Sequence, residues 1–465
     1  MIHDGRGETL HARRILSISV ALAALLAPVA ASAESLLEAL SAAYSNNPTL
    51  NAARASTRAT DESVPQALSG YRPQITANIS GSASVLNPSG SVSGSRESRQ
   101  AGVGITITQP IFRGFRTENS VQAAEASVRA ARESLRNTEQ NVLLDAVEAY
   151  MNVIRDEAIV NLRESNITFL NEQVRAARDR FQVGEGTRTD VAQSDAALAA
   201  ASSALSLARA NVQSSRGVYR QIIGRDPRNL QPGRVIDKLL PKSFEEALAR
   251  GRKDHPAIIA SVHSADVAAY NVKVIEGELL PTISLQATAQ RSWVGGDTSS
   301  VGGTSGEIVG QITIPIYEGG SVYSSVRQAK ETYGQRMIEV DATRDQVQAA
   351  VVAAWGGLEA SRAQAIAARS QVDANRLALE GVIDEQRVGQ RTTLDVLNAQ
   401  TDLVDAQVSQ VQAQRDIVVA GYTVLSTVGQ LSSTKLGLKV AAYKPETHYK
   451  QVRDKWGGLR TPDGR

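Results

Sequence analysis

The sequence predicts a mainly α-helical protein that carries a transmembrane β-barrel. Each chain supplies four strands, so chains must associate to close a barrel; a ring of three would give twelve strands, with long helices continuing it as a tunnel. Three observations predict this. The chain is one unit written twice, and each unit holds a pair of strands with one apolar and one hydroxylated face. Each pair is followed by a proline-free run with apolar residues seven apart.

Composition narrows the alternatives first. The chain has 465 residues, with only 5 Phe, 3 Trp and 11 Tyr. Aromatic side chains dominate the burial of bulky cores, so several ordinary globular domains do not fit. An apolar share carried by Ala, Val, Leu and Ile suits thin, closely packed helices. The absence of cysteine excludes a disulfide scaffold, a thiol nucleophile, a Cys-ligated metal and a cysteine-linked lipid. A net charge of +2 gives no reason to expect a nucleic-acid partner.

Residues 1–33 read as a cleaved export signal. Arg13-Arg14 closes a basic start, Ile15 to Ala27 is an apolar run, and Ala31-Ser32-Ala33 supplies the small-residue cleavage site. The run is too short to span about 30 Å of hydrocarbon as a helix. Cleavage is therefore expected between Ala33 and Glu34.

The duplication comes next. Ser35-Leu-Leu-Glu-Ala-Leu returns as Ser243-Phe-Glu-Glu-Ala-Leu, Asn47-Pro48 as His255-Pro256, and Pro110-Ile-Phe-Arg-Gly114 as Pro315-Ile-Tyr-Glu-Gly319. Asp190-Val191 matches Asp395-Val396, and Gly224 matches Gly429. The first repeat spans 34–224, a connector 225–242, the second repeat 243–429, and a tail 430–465. Each repeat reads helix, strand pair, long helix, turn, helix. The tail lacks periodicity and is expected to be irregular and partly disordered.

The strands are expected at 73–86 and 102–112, and again at 281–294 and 306–317. Ile75, Ala77 and Ile79 alternate with Thr76, Asn78 and Ser80; Val103, Ile105 and Ile107 with Gly104, Thr106 and Thr108; Ile283, Leu285 and Ala287 with Ser284, Gln286 and Thr288. Period two marks a strand with two unlike faces. The intervening stretches Asn87–Ala101 and Gly295–Glu307 are Gly/Ser-rich and polar, and read as loops.

From about Gly114 to Phe181 there is no proline. Val121, Val128, Leu135, Val142 and Ala149 fall seven apart, as do Val326, Tyr333, Val340, Val347 and Ala354. That spacing implies a supercoil against neighbouring helices, in a rod of roughly 100 Å at 1.5 Å per residue.

Four strands are too few to close a barrel, and an open sheet leaves two bare edges. A soluble sheet and a lipid-facing barrel both satisfy the alternation. Small hydroxylated faces and an export signal favour a barrel of three chains in an outer membrane, with the helices in the periplasm.

With these features in place, the chain resembles the TolC family of outer-membrane efflux proteins. The most specific pieces are Phe181-Gln-Val-Gly-Glu-Gly-Thr-Arg-Thr-Asp-Val191, Arg387-Val-Gly-Gln-Arg-Thr-Thr-Leu-Asp-Val-Leu397, and the junctions at Gln109–Gly114 and Ile314–Gly319. The resemblance implies a homotrimer in outer-membrane lipid that serves as the passive exit duct of a tripartite efflux pump or a type I secretion system. Its implied partners are a periplasmic adaptor and an inner-membrane RND or ABC transporter.

The resemblance also implies a gate at the helix turns, formed by Thr189 and Asp190 in the first repeat and by Arg391 and Asp395 in the second. It implies adaptor docking around Val183, Gly184, Val388 and Gly389. A plainer reading of the same letters is compatible with this one. Thr187-x-x-Asp190 and Thr392-x-x-Asp395 fit helix capping boxes, and Arg391 with Asp395 fits an i,i+4 surface pair. Gly184 and Gly389 would supply positive φ at the turns. The family's second acidic position is Asn398 here and its gate tyrosine is Gln386, so fewer gate contacts are expected.

No catalytic, cofactor or metal site is expected. His255 and His263 are eight apart on an expected helix and lack ligand spacing. Ser432-Ser-Thr-Lys435 and Gly184-x-Gly186 stand without their partner motifs. The competing reading is a soluble periplasmic adaptor or a structural coiled-coil protein.

Overall fold

The computed structural model describes residues 33–86, 96–234, 236–296 and 300–464. The leader up to Ser32 and the tips of both strand-pair loops lie outside them. The chain divides into two compact units, taken here in turn.

One unit holds the described residues up to Ala42, with Ala146–Arg234 and Ala368–Arg415. It is built from two helical hairpins. The first joins the end of α4 (Arg116–Gln182) to α5 (Arg188–Ile223); the second joins the end of α8 (Ser321–Arg387) to α9 (Thr393–Thr427). α4 and α8 each have 67 residues, about 100 Å of helix. Their cores are thin. Leu170, Ala201 and Leu397 form one cluster, and Val372, Leu379, Val396, Leu403 and Ala406 another, with Phe169 against both. A buried Gln400 Nε2 donates to Asn166 Oδ1 at 2.9 Å, so the polar pair inside this packing is satisfied.

The other unit holds Ala43–Asp145, Val235–Ala367 and Asp416–Arg465. It contains α2 (Pro48–Asp61), α6 (Phe244–Asp254), α7 (Pro256–Glu276) and one antiparallel sheet. In the chain, α1 (Leu36–Asn46) precedes α2 and α3 (Ser63–Leu68) follows it. A core of Ala247, Ile258, Val347, Val351 and Val428 packs with Trp355. The heptad residues Val121, Val128, Leu135, Val142 and Ala149 are buried, as are Val340, Val347 and Ala354. Tyr333, at the same repeat position, is exposed.

The sheet has the order β1 (Gln74–Leu86), β2 (Arg96–Arg113), β3 (Thr282–Gly296), β4 (Ser300–Thr313). Its register turns the alternation of single strands into whole faces. Ile75 pairs with Ile107, Ile107 with Ala287 and Ala287 with Ile308; one residue along, Thr76, Thr106, Thr288 and Glu307 form the matching polar row. The apolar row is open: Ile75 is 66% exposed and Ile308 76%.

The strands differ from expectation at their ends. β2 begins at Arg96 and β4 at Ser300, inside stretches whose polarity suggested loops. Backbone pairing such as Arg99 with Ala83 needs no apolar alternation, so polar strand ends escape a periodicity test. β4 stops at Thr313 instead of 317. Pro315 has no N–H to donate, and Ile316 and Tyr317 stand exposed. The equivalent Pro110 stays within β2, where the register shifts between Pro110 and Phe112, the kind of site that tolerates proline.

The tail is also more ordered than expected. Leu431, Leu436, Leu438 and Val452 are buried, and α10 (Pro445–Val452) lies against α2. His448 Nδ1 lies 2.9 Å from Asp61 Oδ2, with the carboxylate fully buried and the imidazole partly so. This anchor joins residues 387 apart in sequence, beyond the reach of any local pattern.

Candidate functional site at the helix turns

Both hairpin turns close the same way. At the end of α4, the Gly184 N–H donates to Phe181 O at 3.2 Å and the Glu185 N–H to Arg180 O at 2.9 Å. At the end of α8, Gly389 donates to Gln386 O at 3.0 Å and Gln390 to Glu385 O at 2.9 Å. This is a Schellman closure, which needs a left-handed residue. Gly184 has φ +80° and Gly389 φ +79°, the role their positions suggested. Val183 and Val388 flank them at 72% and 70% exposure, although burial is the usual fate of valine.

Each following helix starts with a capping box. Asp190 N–H donates to Thr187 Oγ1 at 3.1 Å, while the Thr187 N–H and Oγ1–H reach Asp190 Oδ2 at 3.0 and 2.6 Å. Asp395 and Thr392 repeat the arrangement at 3.3, 2.9 and 2.8 Å. These bonds to the ionised form hold both carboxyls below the usual carboxylate range. The Thr187 hydroxyl contributes most at Asp190, and the Thr392 backbone N–H at Asp395. Thr189 is exposed beside the first cap, and Thr187 makes the bond.

One expected pair is replaced. Arg391 Nε donates to Glu385 Oε2 at 2.8 Å, across the turn, and not to Asp395 four residues on. That contact raises the already high guanidinium pKa. Gln386 Nε2 reaches Thr393 Oγ1 at 3.3 Å. Sequence reasoning passed over Glu385 because a separation of six across a turn is no helical spacing. The first copy offers no matching pair to reveal it, since Arg180 and Gly186 stand at the places of Glu385 and Arg391.

The histidines have structural surroundings. His255 precedes α7 instead of lying on it, and its Nδ1 accepts the Ala257 N–H at 3.2 Å as an N-cap. Burial lowers its pKa, which keeps the accepting nitrogen free of a proton. Among the described residues, no group of three or more His, Cys, Asp or Glu is placed to hold a metal ion.

The model of the outer membrane efflux protein family matches residues 39–225 and 247–430. The chain belongs to this family. It is 49% identical over 438 residues to the outer membrane efflux protein BepC of Brucella suis, covering 94% of both chains. It is 26% identical to the outer membrane protein TolC of Vibrio cholerae, over 92% of this chain and 98% of that one. The fold is that of the Campylobacter jejuni CmeC outer membrane channel, with a TM-score of 0.77 at 18% identity, covering 90% of this chain and 89% of CmeC. As a member of the outer membrane efflux protein family, the chain is an outer-membrane protein, and the soluble-adaptor reading falls away. No described helix is long and apolar enough to cross a membrane.

Proposed function

We propose that three copies form a passive outer-membrane channel that is the exit duct of a tripartite efflux pump or a type I secretion system. The observation that carries this is the sheet. In its apolar row Ile75–Ile107–Ala287–Ile308 the three isoleucines are exposed, its other face is hydroxylated, and β1 and β4 stand at its two edges. In lipid, bare strand edges leave backbone groups without partners, so only closure satisfies them. Pairing β4 of one copy with β1 of the next gives twelve strands, with the Thr76–Thr106–Thr288–Glu307 row facing a wet lumen.

The helix turns form the periplasmic gate in this reading. Three copies bring Asp190, Asp395 and the Arg391–Glu385 pair, with Thr189, to one constriction. Clustered carboxylates there favour cations. Val183 and Val388, beside Gly184 and Gly389, offer apolar contacts to a periplasmic adaptor, which links the channel to an inner-membrane RND or ABC transporter. The chain itself does no chemistry and needs no cofactor.

Paired cysteines on the edges of β1 and β4, introduced into a chain that has none, test the assembly. Oxidation in outer membranes should give a covalent trimer, and conductance in planar bilayers should follow. Recovery of only uncrosslinked monomer without conductance would refute the proposal. Drug susceptibility and secreted-protein profiles of a deletion strain separate efflux from secretion.

A further inference from the structure

We infer that the loop after α5 forms a receptor for the chain's own processed amino terminus, which takes up the α-ammonium and side chain of Glu34 once the leader is removed. The inference rests on cleavage between Ala33 and Glu34, as the leader pattern predicts.

Glu34 is only 5% exposed, which is unusual for a glutamate. Its carboxylate is held through one oxygen. Arg225 Nη2 and Nε donate to Oε1 at 2.7 and 3.2 Å, and Tyr219 Oη donates to the same oxygen at 2.7 Å. The Glu34 carbonyl accepts the Gln231 N–H at 3.0 Å, and Tyr150 Oη lies 2.8 Å from it. Burial raises the pKa of both phenols, so they stay protonated donors.

The Glu34 nitrogen points to a terminus instead of a mid-chain residue. It faces two carbonyls at once, Arg228 O at 3.3 Å and Asn229 O at 3.2 Å. A peptide N–H has one hydrogen for these two acceptors, and both contacts are long for N–H···O. A terminal ammonium has three hydrogens and a charge, and satisfies both. Asn229, which supplies one carbonyl, is held at φ +42°, a left-handed conformation uncommon outside glycine and seen where the surroundings impose it. Electrostatics agree: the carboxylates of Glu34 and Glu38 both act on Arg225, so a second cation beside Glu34 is favourable. Cleavage removes one contact, from Gln231 Nε2 to Ala33 O at 3.2 Å.

Docking of this terminus would pin the start of the mature chain to α4, α5 and the loop after it. Leader removal would then complete the fold as well as release the chain for export.

The test uses the exported full-length protein purified from outer membranes. Intact mass should give a chain that begins at Glu34; a different start overturns the cleavage reading and the receptor with it. With the start at Glu34, succinimidyl-ester labelling of the α-amine at neutral pH should be about tenfold slower in the folded protein than in the same chain unfolded. Tenfold corresponds to about 1.4 kcal/mol of docking. Insertion of Ala-Ser between Ala33 and Glu34 should abolish the protection, and Glu34→Gln should reduce it while keeping the fold. Equal labelling of folded and unfolded chains, or full protection in Glu34→Gln, overturns the proposal.

Discussion

Arg391 donates its Nε to Glu385 across the second helix turn at 2.8 Å, over a backbone closure in which the Glu385 carbonyl also takes part. One residue thus joins the Schellman turn to the charge beside it. The carboxylate of Asp395 is left to its own capping box with Thr392, so the turn carries two separate polar links.

If the Arg391–Glu385 link holds the gate, Glu385→Gln and Arg391→Gln should each raise the conductance of the closed channel. The double variant should add little to either single change, because both remove the same contact. Single-channel recording in planar bilayers provides the measurement. Additive effects would place the two residues in separate contacts.

The folded pKa values of Asp190 and Asp395 lie below the ordinary carboxylate value of 3.8. A depressed acid pKa stabilises the folded turn above the unfolded value, and this contribution fades as pH falls through the folded one. Both acids therefore stay charged at any pH above about 4. Block by a multivalent cation from the periplasmic side should persist unchanged from pH 7 to about pH 5. It should weaken in Asp395→Asn at every pH. Conductance titrations test both statements.

The caps themselves are testable without a channel. Thr187→Ala and Thr392→Ala should each cost about 1 kcal/mol of local helix stability, and Thr→Ser should cost much less. Faster hydrogen exchange confined to the first turns of α5 and α9 is the expected signature.

The sheet faces predict opposite tolerances at neighbouring positions. Ile105→Arg places a charge on the apolar face and should cost about 2–4 kcal/mol at the bilayer midplane. Thr106→Arg, one residue on, faces the lumen of the proposed barrel and should be accepted. Yield of assembled protein in outer membranes compares them.

The tail anchor gives a further asymmetry. His448→Ala leaves Asp61 buried without its partner and should cost about 3 kcal/mol. Asp61→Asn removes the charge that burial disfavours; burial already raises this carboxyl's pKa. The first variant should expose the tail from 431 onward to limited proteolysis, and the second should leave it protected.

These relationships differ in how far the sequence exposes them. Thr187 with Asp190 and Thr392 with Asp395 are three residues apart, so one helical turn brings them together and the letters suffice. The Ile75–Thr76 alternation is equally local. Glu385 was illegible as the partner of Arg391, because the path of a turn, and not a helical period, decides which side chains meet. Asp61 and His448 are illegible for a stronger reason: no spacing rule links residues 387 apart.

By itself, the sequence determined the duplication, the two-faced strands, the heptad-bearing helices and the family, since each is a local pattern repeated along the chain. Tertiary structure alone decided the register that assembles those strands into continuous faces. It also seated the tail on α2 and enclosed Glu34 between Tyr219 and Arg225. The physical reason is common to all three: such contacts form between segments distant in sequence, where packing and the pairing of buried polar groups choose the partners, and no periodicity records that choice.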